Sequence, residues 1–301
     1  MTQVVLMGDP AHFAVVGGAN PHTRDKYGRK KSVDRALAIR QWGRLRDLLG
    51  ELGVAVDVIP ADPAHPGLVY PANAGFRHGE VFVLSNLVPT RAGEKPAYRA
   101  AAERRGLRCV EIEARFEGEA DLFPAGDAYV FTWGAIRRQR FVPRLGWPPW
   151  KRVYGFRSEP RALGEIEALA PLGKRVIQVQ LCDERYYHGD TCLCSFGPGR
   201  EFLLAYFDAL HPRSLEELRE RFGERLVRIG AADAAIYAAN SFALESRGES
   251  LLVMPRGVSG ELLGAVRATG TRVVDVDVSE FHKKGGGSVK CMIGDLGERP
   301  Q

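Results

Sequence analysis

The chain carries, at residues 48–59, the run Leu48-Leu49-Gly50-Glu51-Leu52-Gly53-Val54-Ala55-Val56-Asp57-Val58-Ile59. Its first half continues a pattern of apolar residues spaced by threes and fours, which predicts a helix with Ser32 as its N-cap. Gly53 ends this helix, and the residues after it alternate between apolar and polar, as they do in a strand. The run therefore predicts a helix joined to a strand through one glycine.

The same order of helix and strand recurs four more times. The helical patterns cover 96–105, 160–171, 214–221 and 259–268, and the strands that follow them cover 107–112, 176–181, 225–229 and 273–278. Further short strands are predicted at 81–84, 128–132, 202–206 and 251–254. Five such units predict an α/β fold built from an internal structural repeat. Because no linker rich in Pro, Gly or Ser divides the chain, 1–301 is predicted to be one domain.

Composition limits the class of protein. The 301 residues are 45% hydrophobic and contain no apolar run that approaches the roughly 18 residues of a membrane span. The start of the chain also lacks a basic-then-apolar signal segment, so we predict a soluble cytoplasmic protein without a membrane partner. Five cysteines indicate reduced thiols. The net charge of +5 is spread among 42 basic and 37 acidic residues, which argues against nucleic-acid binding.

Polar residues fall at similar places in four of the five units, after the main strand. These loops contain Asn73 in the first unit, Glu117 in the second, His188 and Asp190 in the third and Cys291 in the fifth. Cys291 follows the glycines of 285–287, in a short run that is predicted to be a strand. Taken alone, its thiol can be a reactive group or a small buried hydrophobe. If the units surround an axis, the loops meet at one end.

These residue types favour a particular chemistry. A cysteine and a histidine that are distant in sequence can be a nucleophile and its acid/base partner. Acidic residues near a thiolate raise its pKa, so a site that collects them is expected to bind a cation that offsets the repulsion. A planar guanidinium is the natural partner for paired carboxylates. The pattern therefore predicts a small guanidino compound as the substrate.

The chain resembles the guanidino-group-modifying enzymes, which include arginine deiminases, dimethylarginine dimethylaminohydrolases, amidinotransferases and arginine dihydrolases. The likeness covers nearly the whole chain and rests on short motifs in a common order: Ala72-Asn73-Ala74-Gly75, Phe116-Glu117-Gly118, His188-Gly189-Asp190-Thr191 and Gly285-Gly286-Gly287-Ser288-Val289-Lys290-Cys291. The resemblance implies the pentein fold, in which five pseudo-symmetric α/β modules form a propeller around a central active site.

The resemblance also implies residue roles. Cys291 would attack the guanidinium carbon to form a covalent thiouronium adduct, and His188 would protonate the departing ammonia and then activate water. Glu117 and Asp190 would hold the guanidinium nitrogens. Asn20 would be a further amide contact, and two arginines would hold a substrate carboxylate or a neighbouring loop, namely Arg91 and Arg157. This chemistry requires no metal and no organic cofactor.

The chain departs from parts of the family at Asn73. The resemblance implies an aspartate there in citrulline-producing enzymes and an asparagine in arginine dihydrolases, which continue through citrulline to ornithine. Glu119 places a charge where dihydrolases have a small residue, and 141–151 has the character of an insertion. Both could alter the substrate pocket, and the sequence leaves their roles open.

Several alternatives stay open at this point. An amidinotransferase would pass the amidino group to an amine instead of water, and a non-catalytic protein of this fold would only bind a cationic amino acid. Cys192 and Cys194 with His188 could ligate zinc, although alternation on a strand favours a core position for both thiols. A homo-oligomer is left open.

Overall fold

The structure is a computed structural model that describes residues 2–16, 18, 20–25, 27–147 and 149–299. In the described part, the strands are β1 (Thr2–Gly8), β2 (Ala55–Ile59), β3 (Gly75–His78), β4 (Val81–Leu84), β5 (Arg108–Glu111), β6 (Leu122–Ala125), β7 (Ala128–Trp133), β8 (Arg140–Pro143), β9 (Trp150–Val153), β10 (Arg175–Gln180), β11 (Leu193–Phe196), β12 (Phe202–Ala205), β13 (Leu226–Arg228), β14 (Phe242–Ser246), β15 (Glu249–Pro255), β16 (Arg272–Val276) and β17 (Gly294–Arg299). The α-helices are α1 (Arg35–Glu51), α2 (Lys95–Glu103), α3 (Arg161–Leu169), α4 (Pro212–Phe222), α5 (Ala231–Ala235), α6 (Gly260–Ala268) and α7 (Ser279–Gly285).

Five three-stranded sheets share one topology. Their strand orders are β17-β1-β2, β3-β4-β5, β6-β7-β10, β11-β12-β13 and β14-β15-β16. In each sheet the middle strand pairs antiparallel with the first strand and parallel with the last. A parallel pair needs a crossover connection, and the five crossovers contain α1, α2, α3, α4 and α6. The sheets are therefore five copies of one supersecondary unit.

All five predicted helix-and-strand units are present, including the weak fourth copy at α4 and β13. The sequence patterns missed β1 and β17, which pair antiparallel and bring both ends of the described chain into one sheet. The predicted cap of α1 was wrong, because Asp34 caps the helix by accepting from the Leu37 amide at 3.0 Å. A carboxylate there also complements the positive end of the helix dipole, which a serine cannot do.

Cys291 was wrongly predicted to lie on a strand. It lies in a 3-10 turn, Lys290–Met292, and β17 begins only at Gly294. The backbone is held back from strand pairing because the amides of Ser288 and Cys291 both donate to the side chain of Asn240, at 3.0 and 3.1 Å. The thiol is therefore presented by a turn at the end of the sheet.

The core lies between the sheets and the crossover helices. On α1, five of the six predicted apolar positions are buried and the sixth is half-buried: Trp42, Leu45, Leu48, Leu49 and Leu52, and then Leu37. The largest apolar cluster involves the third and fourth sheets and includes Cys192, Cys194 and Leu204. Among the described residues, no helix is long and apolar enough to cross a membrane.

We expect Leu204→Ala to lower the free energy of unfolding by about 2–5 kcal/mol, because Leu204 lies fully buried on a middle strand and its truncation leaves a cavity. Ile39→Ala, on the outer face of α1 where the side chain is 47% exposed, should change it by less than about 0.5 kcal/mol. Urea unfolding followed by circular dichroism measures both. Equal effects of the two substitutions would contradict this placement of the core.

Candidate active site

Each of the five units carries a polar residue in an equivalent turn, between the last strand of one sheet and the first strand of the next. After each parallel strand the chain turns and enters the first strand of the next sheet. A polar residue lies shortly before each of those entering strands: Asn73 before β3, Glu117 before β6, Asp190 before β11, Asn240 before β14 and Cys291 before β17. Four of these were predicted from the sequence. The fifth, Asn240, was missed because its unit was the weakest copy, although the repeat itself pointed to that loop.

A cavity of about 310 Å³ opens at this end of the sheets. Seven of the eight predicted site residues line it: Asn20, Asn73, Arg91, Glu117, Arg157, His188 and Cys291. The eighth, Asp190, is buried and accepts a hydrogen bond from the Cys291 thiol at 3.3 Å. The structure therefore brings all eight residues together. A cavity of this size fits a small molecule.

Two of the three glycines before Cys291 allow close packing. A side chain at Gly285 would place its first carbon 1.8 Å from the Tyr70 hydroxyl oxygen, and one at Gly287 would place it 2.6 Å from the Tyr70 ring. Gly286 turns the chain, with a φ of +81° that favours glycine. The Tyr70 hydroxyl donates to the carbonyl of Phe281 at 3.1 Å. Tyr70 thus supports the turn that carries the thiol.

Asn240 organises the other side of the same turn. Its side chain is fully buried, and its Oδ1 accepts the amides of Ser288 and Cys291. Its Nδ2 donates to the Cys291 sulfur at 3.1 Å and to the backbone carbonyl of Asp190, also at 3.1 Å. One amide side chain therefore joins the backbone of the cysteine turn, the sulfur atom and the Asp190 loop.

The Cys291 thiol is held in its neutral form. Burial raises its pKa well above the ordinary value of 9.0, and the negative charge and hydrogen bond of Asp190 raise it further, whereas donation from Asn240 lowers it. Burial also raises the pKa of Asp190 to about 6, against the nearby positive charges of His188 and Lys290. Ionised Asp190 disfavours the thiolate, whereas the thiol, as a hydrogen-bond donor, favours the ionised form of Asp190. A cation beside them would favour both charged forms.

His188 and Glu117 form a buried pair, with Nε2 of the imidazole 2.8 Å from the carboxylate. Burial alone lowers the pKa of His188, but the negative charges of Asp121, Glu117 and Asp190 outweigh it, and the pKa lies above 6.5. Burial likewise opposes ionisation of Glu117, and the bond to His188, with nearby Arg157 and Arg91, holds its pKa at about 2. The pairing therefore favours the protonated form of the imidazole and the ionised form of the carboxylate.

Asp121 fixes the loops around this pair. Its carboxylate accepts from the Thr132 hydroxyl and the Ser158 hydroxyl, both at 2.6 Å, and from the Gly189 amide at 2.9 Å. These donors come from three separate segments, so Asp121 ties the His188 loop to the third sheet and to the segment after β9. Asp121 therefore stabilises the relative positions of these segments.

The Arg91 guanidinium contacts groups of the protein on several sides. Its guanidinium contacts Glu94 at 2.7 Å, the Gly67 carbonyl at 3.0 Å and the Asn73 Oδ1 at 2.6 Å. The Asn73 Nδ2 donates to the Glu117 carbonyl at 3.3 Å. Of the two roles that the family resemblance implied for Arg91, these contacts match the one that holds a neighbouring loop, since they fix the Asn73 amide at the cavity wall.

Asn20 and Arg157 meet at Tyr187. The Asn20 Nδ2 donates to the Tyr187 hydroxyl at 3.1 Å and to the Gly285 carbonyl at 2.8 Å. The Arg157 guanidinium lies over the Tyr187 ring, 5.1 Å from its centre. Tyr187 therefore joins the glycine turn to the opposite wall of the cavity, since its hydroxyl also donates to the Gly286 carbonyl at 2.8 Å.

Two features that could alter the pocket lie outside it. Glu119 forms a half-buried ion pair with Lys290 at 2.8 Å and accepts from the Asp295 amide at 2.5 Å, and neither side chain lines the cavity. The lining of the cavity also contains no residue of 141–151 that the structure describes. An ion pair takes up the charge of Glu119, and the described residues of 141–151 belong to a separate hairpin, β8 and β9, so the position of the cavity lining leaves both outside. Among the described residues, no group of three His, Cys, Asp or Glu side chains could hold a metal ion.

Comparison with known proteins identifies the class of this site. The family model for eukaryotic N,N-dimethylarginine dimethylhydrolase matches residues 155–297. The chain is 32% identical to the N(G),N(G)-dimethylarginine dimethylaminohydrolase of Mycobacterium tuberculosis, over 96% of this chain and 84% of that protein. It is 33% identical to the bifunctional arginine dihydrolase/ornithine cyclodeaminase AgrE of Nostoc sp., of which it spans 37%.

The solved N-terminal domain of ArgZ, a cyanobacterial arginine dihydrolase, has a TM-score of 0.83 to this chain at 27% identity, covering 99% of this chain and 98% of that one. The fold and site thus define a hydrolase of guanidino groups. The chain belongs to the dimethylarginine dimethylaminohydrolase family, within the pentein superfamily that also contains the arginine dihydrolases.

We expect Asn240→Asp to raise the pKa of the Cys291 thiol, because it replaces a donor to sulfur with an anionic oxygen while keeping an acceptor for the two amides. At a fixed pH below the thiol pKa, each unit by which that pKa rises lowers the thiolate fraction about tenfold. The rate of alkylation falls by the same factor, because the thiolate is the reactive form. The measurement is the rate of iodoacetamide modification of the Cys291 peptide against pH, by mass spectrometry.

Asn86→Asp is the matched control, because the Asn86 side chain donates to the Glu113 carbonyl at an exposed position. It adds the same charge and should leave the pH profile unchanged. Coinciding profiles for Asn240→Asp and the unsubstituted protein would contradict the role of this hydrogen bond.

Proposed function

We propose that the chain hydrolyses the guanidino group of arginine or a close relative, with Cys291 as the nucleophile. The observation that carries the proposal is a buried thiol hydrogen-bonded to a carboxyl group whose second oxygen, Asp190 Oδ1, is buried and has no partner among the described residues. An oxygen acceptor left in this state needs a donor, and a guanidinium supplies N–H donors together with the positive charge that favours a thiolate.

The first step forms a carbon–sulfur bond. As the cationic guanidinium binds beside Asp190 and Glu117, the thiol releases its proton to solvent and the sulfur attacks the guanidinium carbon. His188, protonated through its pairing with Glu117, donates a proton to the departing nitrogen, so the carbon–nitrogen bond breaks and ammonia or an amine leaves. The product of this step is a thiouronium adduct on Cys291.

The second step uses water. Neutral His188 takes one proton from a water molecule that attacks the adduct carbon. The second proton of that water passes to solvent as the ureido carbonyl forms, and the carbon–sulfur bond breaks to restore the thiolate. The ureido product of arginine is citrulline. The raised pKa of His188 favours its role as the acid of the first step, and the same imidazole, once it has given up that proton, is the base of the second.

Asn73 supports a further turnover of citrulline to ornithine. A ureido group offers both an acceptor oxygen and donor nitrogens, so a carboxylate at this position could only accept from it, whereas an amide can donate to the ureido oxygen and accept from its nitrogens. The bond from Arg91 orients the Asn73 amide for such contacts. We assign the substrate carboxylate to Arg157, because its buried guanidinium lines the cavity over the Tyr187 ring.

We also propose that the five sheets are the blades of a pentein propeller and that 1–301 is one domain. The common topology of the sheets and their shared cavity support this arrangement. A cytoplasmic location is a further prediction, supported by five free cysteines and by a mechanism that needs a reduced thiol. Homo-oligomerisation stays open.

Cys291→Ser is expected to reduce ammonia release from arginine by at least about a thousandfold, because a serine hydroxyl is a far weaker nucleophile than a thiolate. Cys109→Ser, at a half-buried cysteine away from the cavity, should retain full activity. Ammonia release is measured by a coupled assay, and mass spectrometry follows conversion of arginine, citrulline, agmatine and methylated arginines. Unchanged turnover by Cys291→Ser would refute the nucleophile assignment.

Reaction in ¹⁸O-labelled water separates hydrolysis from amidino transfer. Hydrolysis places one labelled oxygen in the ureido product, with or without added glycine or lysine. Unlabelled products that carry the amidino group on the added amine would instead establish an amidinotransferase. Binding of arginine without either product would indicate a non-catalytic binding protein.

Asn73→Asp is expected to stop the reaction at citrulline, so that ammonia released per arginine falls from two to one. A carboxylate loses the donor that Asn73 offers to a neutral ureido group, while it still binds a guanidinium. Amino-acid analysis of the products gives the ratio of ornithine to citrulline, and Asn86→Asp is the control. If the unsubstituted protein itself makes only citrulline, the dihydrolase activity is refuted while the hydrolase proposal stands.

A further inference from the structure

The segment 136–153 differs in charge from the rest of the chain. It contains six of the 42 basic residues and none of the 37 acidic ones, so the remainder, with 36 basic and 37 acidic residues, is close to neutral. The six are Arg137, Arg138, Arg140, Arg144, Lys151 and Arg152. Among the described residues, Arg137, Arg138, Arg140 and Lys151 are exposed and form no salt bridge. The segment is therefore strongly basic, whereas the charges of the remaining residues nearly cancel in sum.

The same segment exposes large apolar side chains. Strands β8 and β9 pair antiparallel, with Phe141 opposite Arg152 and Pro143 opposite Trp150. Paired and alternate residues share a face, so Phe141, Pro143 and Trp150 lie together. Phe141 is 63% exposed and Trp150 49% exposed, whereas Val153 on the other face is buried. An aromatic face thus points away from the protein body.

The aromatic face continues to the tip of the hairpin. Leu145 is completely exposed and Trp147 is 87% exposed. The base of the hairpin is fixed, because the amides of Tyr154 and Gly155 donate to Glu184 at 2.9 and 3.1 Å and the Phe156 amide donates to the Ala135 carbonyl at 3.2 Å. An isolated two-stranded hairpin is only marginally stable in water, so a partner surface would stabilise it.

We propose that this hairpin binds the surface of an anionic lipid bilayer. Tryptophan at the headgroup level and a leucine below it bury the apolar tip, while the surrounding arginines and lysine contact lipid phosphates. The contact is peripheral and requires no membrane-spanning helix.

Charge and shape favour a bilayer over two other partners, namely a second copy of the chain and a nucleic acid. A second copy of the chain, meeting it through a two-fold axis, would bring two strongly basic patches together, which is repulsive. A nucleic acid would bind the cations but would offer no apolar medium for the aliphatic side chain of Leu145, which has no ring to stack on a base. A bilayer accommodates both the cations and the tip.

The test is co-sedimentation of the full chain with vesicles of phosphatidylcholine mixed with phosphatidylglycerol, compared with phosphatidylcholine alone. We expect binding to the mixed vesicles only, weakened by added NaCl, with a blue shift of tryptophan emission that Trp147→Ser reduces. Equal recovery with the two vesicle types, or no sedimentation with either, would overturn the proposal.

Two pairs of variants locate the contact. Arg138→Gln with Arg140→Gln should weaken partitioning by roughly 10- to 30-fold at low salt, because each cation near an anionic surface contributes roughly fivefold. Arg104→Gln with Arg108→Gln, at exposed positions elsewhere, should not. Leu145→Ser should weaken binding, and Ile39→Ser, exposed on α1, should not.

Hydrolysis of arginine by each variant verifies that it is folded, because the hairpin is absent from the cavity lining. Vesicle binding can also fail while hydrolysis persists, so this proposal is tested independently of the catalytic one. Hairpin-dependent binding of single-stranded DNA, or a hairpin-dependent dimer in sedimentation velocity, without vesicle binding would replace the bilayer as the occupant.

Discussion

The structure depends on burying several ionisable groups around one sulfur atom. Three carboxyl groups, an imidazole and the thiol are all nearly inaccessible to water: Glu117, Asp121, Asp190, His188 and Cys291. Buried charges are costly unless they are paired or hydrogen-bonded. Glu117 is balanced by His188, and Asp121 by donors from three segments. Among the described residues, Asp190 and the thiol have no such balancing partner for their negative charges, and the guanidinium of the proposed substrate would supply it.

Five equivalent turns make this arrangement possible. Each unit ends a parallel strand at the same level and then sends the chain into the next sheet, so five side chains converge without any long loop. The units are alike in topology but differ in chemistry, because each supplies a different functional group. Asn240 and Cys291 come from neighbouring units, and the amide of one positions the turn of the other.

The hairpin of β8 and β9 differs from the five sheets in its charge and in the exposure of its apolar side chains. The five sheets bury their apolar residues and balance their charges, whereas the hairpin exposes aromatic residues and carries cations without acids. It is inserted between β7 and Arg157, so it is anchored near the cavity without lining it. Catalysis and surface contact can therefore be carried by separate parts of the same chain.

Local sequence patterns were sufficient for the repeated units, because the spacing of apolar residues specifies helix or strand over short distances. Residue type and order were also sufficient to single out Cys291, His188, Glu117 and Asp190. Contacts between distant residues were not predictable in this way. Asn240 and Cys291 are 51 residues apart in sequence, and Glu119 and Lys290 are 171 apart. Only the tertiary structure therefore decided that Asn240 lies beside the sulfur and that Glu119 lies outside the cavity. The physical reason is that a hydrogen bond or an ion pair depends on which groups the fold brings within about 3 Å, and no local period encodes that.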